Sequence, residues 1–67
     1  MIYRYRIGDI NYATAPEALA RAMETVERER DLDRLALAQS QRPDALAALR
    51  RGEPWLLGDL VLITPVR

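Results

Sequence analysis

The chain has 67 residues, with ten Arg, no Lys, ten Asp plus Glu, no His and no Cys, and a formal net charge of zero. That length admits one domain, residues 1–67, and the missing Cys and His remove disulfides and the usual zinc sites as staples. A neutral chain also lacks the bulk positive field that draws nucleic acid or an anionic membrane.

Residues 2–7 read Ile-Tyr-Arg-Tyr-Arg-Ile. Alternation puts Tyr3, Tyr5 and Ile7 on one face and Arg4 and Arg6 on the other, which predicts a half-buried strand. Gly8-Asp9 signals a turn, and Ile10-Asn11-Tyr12 is either a short return or a loop packed by Tyr12. Thr14-Ala15-Pro16-Glu17 has the form of a capping box, with Pro16 in the first turn, where its missing N–H costs nothing. A first helix is expected from Ala15 to Arg28 or Arg30. Leu19, Ala22, Met23 and Val26 form its apolar stripe, and Glu17 with Arg21 and Glu24 with Arg28 form i, i+4 pairs. The stripe loses phase across Glu27 to Asp31. A second helix capped by Asp31 or Asp33, through Leu32, Leu35, Ala36 and Gln39, is therefore preferred to one long helix over residues 15–39.

Pro43 is expected to end that helix and, with Asp44, to open a short third one through Leu46 and Leu49, closed by Gly52 at its C′ position. Trp55-Leu56-Leu57 reads as a short extended piece, Gly58-Asp59 as a turn and residues 60–64 as a strand ended by Pro65. This last strand is apolar on both faces, so it is either central in a sheet or covered on one face by a partner. The pattern is α+β: a small two-stranded sheet of the N-terminal and C-terminal strands, with two or three helices packed on one face. The relative direction of the strands stays open. Ile7-Gly8-Asp9-Ile10 echoes Leu57-Gly58-Asp59-Leu60, which on a common turn dipeptide reads as chance rather than duplication.

Catalytic chemistry finds little purchase. Nucleophilic catalysis needs a Ser, Cys or Thr beside a base, and the lone Ser40 lies in a polar stretch between expected helices. Asp9 and Asp59, even with Glu53, read as turn formers rather than an acid pair or a Ca²⁺ or Mg²⁺ site. The three Gly are isolated, so no phosphate loop is present. Arg4 and Arg6 lie opposite Tyr3 and Tyr5, whereas a nucleic-acid stacking platform needs them together. No enzyme activity, cofactor or metal is therefore expected. A domain this small buries only ~60% of its unfolded surface, so it needs very good packing or another chain. The candidate partner interface is Arg4, Arg6, Trp55, Val61 and Ile63, Trp and Arg being the residues that dominate interface hot spots. A charge at Val61 or Ile63 is expected to abolish folding or assembly. The first ten residues carry charges and no apolar run of the secretory kind, and no stretch approaches the ~20 apolar residues of a membrane span. Synthesis in a cytoplasm, with no membrane and no nucleic-acid partner, is expected.

The residues at both ends resemble LysM-type domains. Tyr3-Arg4-Tyr5-Arg6-Ile7-Gly8-Asp9 looks like their opening strand and Gly-Asp turn, Arg42-Pro43 stands where they have Asn-Pro, and residues 57–65 look like their closing Gly-led strand ending in Pro. Among phages, the tail protein X family is free-standing and of this size. Asp9 is followed by Ile10 where the family usually has Thr, and the first helix is rich in Ala and Glu rather than aromatics. The resemblance implies a strand, helix, helix, strand order and a structural component of a phage tail, baseplate or related contractile machine, with virion as its destination. It also implies, as an alternative, a module that binds peptidoglycan or chitin. A third expectation, from size and helix 1 alone, is a small regulatory protein such as an antitoxin. The leading expectation is a non-enzymatic assembly module with protein partners, in a homo- or hetero-oligomer.

Overall fold

In the computed structural model, which describes residues 2–66, the N-terminal alternation becomes one arm of a hairpin. Strand β1 (Tyr5–Ile7) turns through Gly8-Asp9 into β2 (Ile10–Tyr12), with Ile7 opposite Ile10. Gly8 at φ +57 occupies the first position of this two-residue link, where a side chain would be strained. The ladder extends one residue past β1. Arg4 donates its N–H to the Tyr12 carbonyl at 3.0 Å, and its carbonyl accepts from the Val66 N–H at 2.7 Å.

Helix α1 (Ala15–Arg28) starts at Thr14, whose hydroxyl accepts from the Glu17 N–H at 3.3 Å. Only that half of the capping box forms among the described residues. Its stripe of Ala18, Leu19, Ala22, Met23 and Val26 is buried. The expected i, i+4 ion pairs give way to the neighbouring spacing: Arg21 meets Glu24 at 2.8 Å, and Arg28 donates to the Thr25 hydroxyl. Residues three apart are as close on a helix surface as residues four apart, so exposed side chains choose between them at little cost.

The chain breaks after α1, as the loss of phase predicts. Arg30 takes φ +56, and Asp31 caps α2 (Leu32–Arg50) by accepting from the N–H groups of Asp33 and Arg34 at 3.1 and 3.2 Å. The third helix expected from Pro43 does not exist as a separate element, because α2 runs through Pro43. Proline removes the donor that the Gln39 carbonyl would use, but Gln39 and Pro43 are both exposed, a position where water is at hand for such a carbonyl. Ser40 accordingly lies inside α2, donating its hydroxyl to the Leu37 carbonyl at 2.8 Å. Gly52, at φ +83, closes the helix at C′ with its N–H on the Leu49 carbonyl.

Strands β3 (Trp55–Leu57) and β4 (Val61–Pro65) form a second hairpin, with Leu57 opposite Val61. Gly58 at φ +59 and Asp59 at φ +55 make its turn, closed by the Leu60 N–H on the Leu57 carbonyl at 3.0 Å. The sheet has four strands in the order β2-β1-β4-β3, and every pair is antiparallel. The expected two-stranded sheet is thus corrected. The two terminal strands do pair, at its centre, but each brings a hairpin partner that covers an edge two strands would leave bare. Both partners are three residues long, too short for alternation to announce them.

Both helices pack on one face of the sheet. Tyr12, Leu57, Val61 and Ile63 are buried beneath them, with Tyr5, Ile7 and Trp55 packed alongside. The Tyr5 hydroxyl donates to the Leu49 carbonyl at 3.3 Å, tying β1 to the last turn of α2. Antiparallel pairing of β1 with β4 brings both Gly-Asp turns to one end of the sheet.

Candidate docking surface

A two-layer fold leaves one sheet face without a cover, and alternation decides what that face carries. In β4, Val61 and Ile63 point to the helices at 6% and 0% exposure, so Leu62 and Thr64 point away. In β3, Leu57 is buried and Leu56 turns outward. In β1, Arg6 turns outward between the half-buried Tyr5 and Ile7, and the exposed Arg4 precedes it in the same phase. The uncovered face therefore presents Arg4 and Arg6 toward one side and Leu56 and Leu62 toward the other. The two leucines sit directly opposite each other across β3 and β4, 47% and 53% exposed. Among the described residues neither Arg4 nor Arg6 makes an ion pair.

The five residues expected at an interface separate on this geometry. Arg4 and Arg6 share the uncovered face. Val61 and Ile63 do not reach it and form part of the core under α1 and α2. Their burial is internal because β4 is a central strand, one of the two placements its apolar run allowed. Trp55 lies on the helix side, half-buried, with its indole N–H buried and without an acceptor among the described residues. The sequence reading missed Leu56 and Leu62, although its signal was present. A central strand with one buried phase must turn its other apolar phase to the opposite side.

Beyond the pairing of Arg6 with Thr64, β1 and β4 part. A groove opens there, lined on the sheet side by Arg6, Gly8, Leu62 and Thr64, on α1 by Thr25 and at the C-cap of α1 by Glu29. The β3–β4 turn is held firmly. Arg34 donates from Nη1 to the Asp59 carbonyl at 2.7 Å and from Nε to the Asp31 carboxylate at 3.2 Å, and the Gly58 N–H donates to Gln41 Oε1 at 3.0 Å. Asp9 and Asp59 are both turn residues, and neither carboxylate takes a hydrogen bond or ion pair among the described residues. The hydrogen bond that Arg21 donates to the Glu24 carboxylate holds its guanidinium above its ordinary pKa, which leaves an always-charged group charged.

Among the described residues no group of three or more acidic side chains is placed to hold a metal ion. No helix is long and apolar enough to cross a membrane. Neither a family model, nor a curated protein, nor a solved structure matches the chain.

Proposed function

We propose that the protein is a non-enzymatic assembly module that docks on a larger protein through its uncovered sheet face, as a small component of a phage tail, baseplate or related contractile machine. The observation that carries the docking reading is the pairing of exposed Leu56 and Leu62 beside two arginines that make no ion pair among the described residues. The leucines offer a partner apolar area to desolvate, and the arginines, which are enriched in hot spots, offer a planar fork to fix orientation. The resemblance of both chain ends to LysM-type domains, and to tail protein X among them, supplies the tail setting. Purified particles from the native host, analysed by mass spectrometry, test it. The chain is expected in the particles in fixed proportion, and Leu62→Asp is expected to leave it folded and absent from them. A chain found wholly outside the particle fraction would overturn the reading. Titration with chitin or peptidoglycan oligomers is expected to give no heat, and a saturable signal would favour the sugar-binding alternative.

A further inference from the structure

The uncovered face sets conditions on whatever covers it. Its outward residues include Arg4, Arg6, Asn11, Leu56, Leu62 and Thr64, and none is acidic. Two copies joined face to face would bury four guanidiniums in one contact with no carboxylate from either described face to pair them. The fitting partner instead presents an apolar knob flanked by acids.

The same chain carries such a knob. Leu32, the first residue of α2, is 78% exposed, more than any other large apolar side chain described. It stands between Asp31 and Asp33, just after Glu29. Asp31 is engaged by the helix cap and by Arg34, whereas Glu29 and Asp33 make no ion pair among the described residues. The zero net charge therefore conceals a separation. Residues 27–33 hold four acids against two arginines, while the outward sheet residues hold two arginines and no acid. Within one chain Leu32 does not seat on Leu56 and Leu62, because it opens a helix of the covering layer and they face away from that layer; Glu29 borders the groove that Arg6 and Leu62 line but makes no ion pair there among the described residues.

We infer that copies of this chain associate head to tail: the Leu32 knob of one copy seats on Leu56 and Leu62 of the next, and Glu29 and Asp33 meet Arg4 and Arg6. Two different patches make the contact heterologous, so it continues past a dimer into a ring or a filament. The inference rests on the reading that the sheet face docks protein, and commits its occupant to a second copy. Exposed charges carry part of the contact, so the association weakens as salt shortens the screening length from about 10 Å at 0.1 M to about 3 Å at 1 M.

Sedimentation equilibrium of the full chain, up to about 1 mM, tests this. The expected result is a mass that rises beyond the dimer at low salt and falls back at high salt. Leu32→Ser, which spoils the knob, and the double variant Arg4→Glu with Arg6→Glu, which spoils the face, are each expected to stay monomeric. Mixed in equal amounts they are expected to form a dimer and nothing larger, since one intact knob and one intact face remain. All these positions are exposed, and thermal melts check that the variants fold. Leu62→Gln replaces the double variant if charge reversal disturbs the sheet. A wild-type chain that stays monomeric, or stops at the dimer, overturns the inference, as does a mixture that fails to pair. A monomer still incorporated into particles would sink self-association alone, and a chain that assembles but is missing from particles would sink the tail reading alone.

Discussion

Gly8 and Gly58 carry the same turn dipeptide and nearly the same φ, +57 and +59, yet their surroundings differ. A Cβ on Gly8 would meet nothing within 4 Å, whereas on Gly58 it would lie 2.8 Å from the Arg34 carbonyl oxygen and 3.1 Å from the Ala38 Cβ. The first site asks only for backbone freedom, and Gly8→Ala is expected to cost about 1–2 kcal/mol. The second also asks α2 to move, and overpacking adds about 1–3 kcal/mol. Urea unfolding of the two alanine variants should therefore rank Gly58→Ala as clearly the more damaging. Arg30 presents the opposite case, a side chain held at φ +56 in the place after a helix where glycine is favoured. Arg30→Gly is expected to raise the unfolding free energy by up to about 1 kcal/mol, because the relief of the left-handed strain exceeds the added chain entropy. The same urea series reads both effects.

The helices show what each kind of signal can specify. The end of α1, the Asp31 cap and the Gly52 stop were legible because each rests on a local bond between neighbours in sequence. Pro43 misled, since whether a proline ends a helix depends on where the orphaned carbonyl faces, and that is decided by the tertiary fold. If solvent satisfies the Gln39 carbonyl, restoring the donor is a gain without a rearrangement. Pro43→Ala is expected to stabilise α2 by about 1–3 kcal/mol, bounded by the ~3 kcal/mol that proline costs in a helix interior. The melting temperature should rise by about 4–8 °C per kcal/mol. An unchanged or lower melting temperature would show that the ring's contacts, in the depression it shares with Pro16, Leu19 and Leu46, matter more than the lost hydrogen bond. The strands were legible at the centre and not at the rim. β4 declared itself by a run of four apolar residues and β3 read as a short extended piece without a place in the sheet, while β2 stayed open between a short return and a loop. Leu32 stayed hidden for a related reason: it matches the helical spacing of Leu35, but Leu35 packs against the core and Leu32 turns out to be exposed.

At the scale of the molecule, the Cα radius of gyration is 11.0 Å, which matches the ~11 Å expected for a folded domain of this length. The principal extents of 35 × 21 × 14 Å describe a flat body, two layers deep, and flatness leaves much of the sheet on the surface. Stability scales with length at roughly 0.05–0.15 kcal/mol per residue, so the margin is only about 3–10 kcal/mol. Against that margin, adjacent positions of β4 should behave as opposites. An unpaired carboxylate at Val61 or Ile63 would sit under the helices, at a cost of several kcal/mol that consumes much or all of the margin. Val61→Asp and Ile63→Asp should therefore lose the cooperative unfolding transition before any question of assembly arises. Leu62→Asp turns its charge into water, and its thermal melt should stay cooperative and within about 1 kcal/mol of the original. The strand's two apolar phases thus have different causes. Val61 and Ile63 hold the two layers together, and Leu62 does nothing for the isolated fold that a polar residue could not do. If Leu62→Asp unfolds the chain as Val61→Asp does, the sheet has no uncovered face, and the docking surface built on it disappears as well.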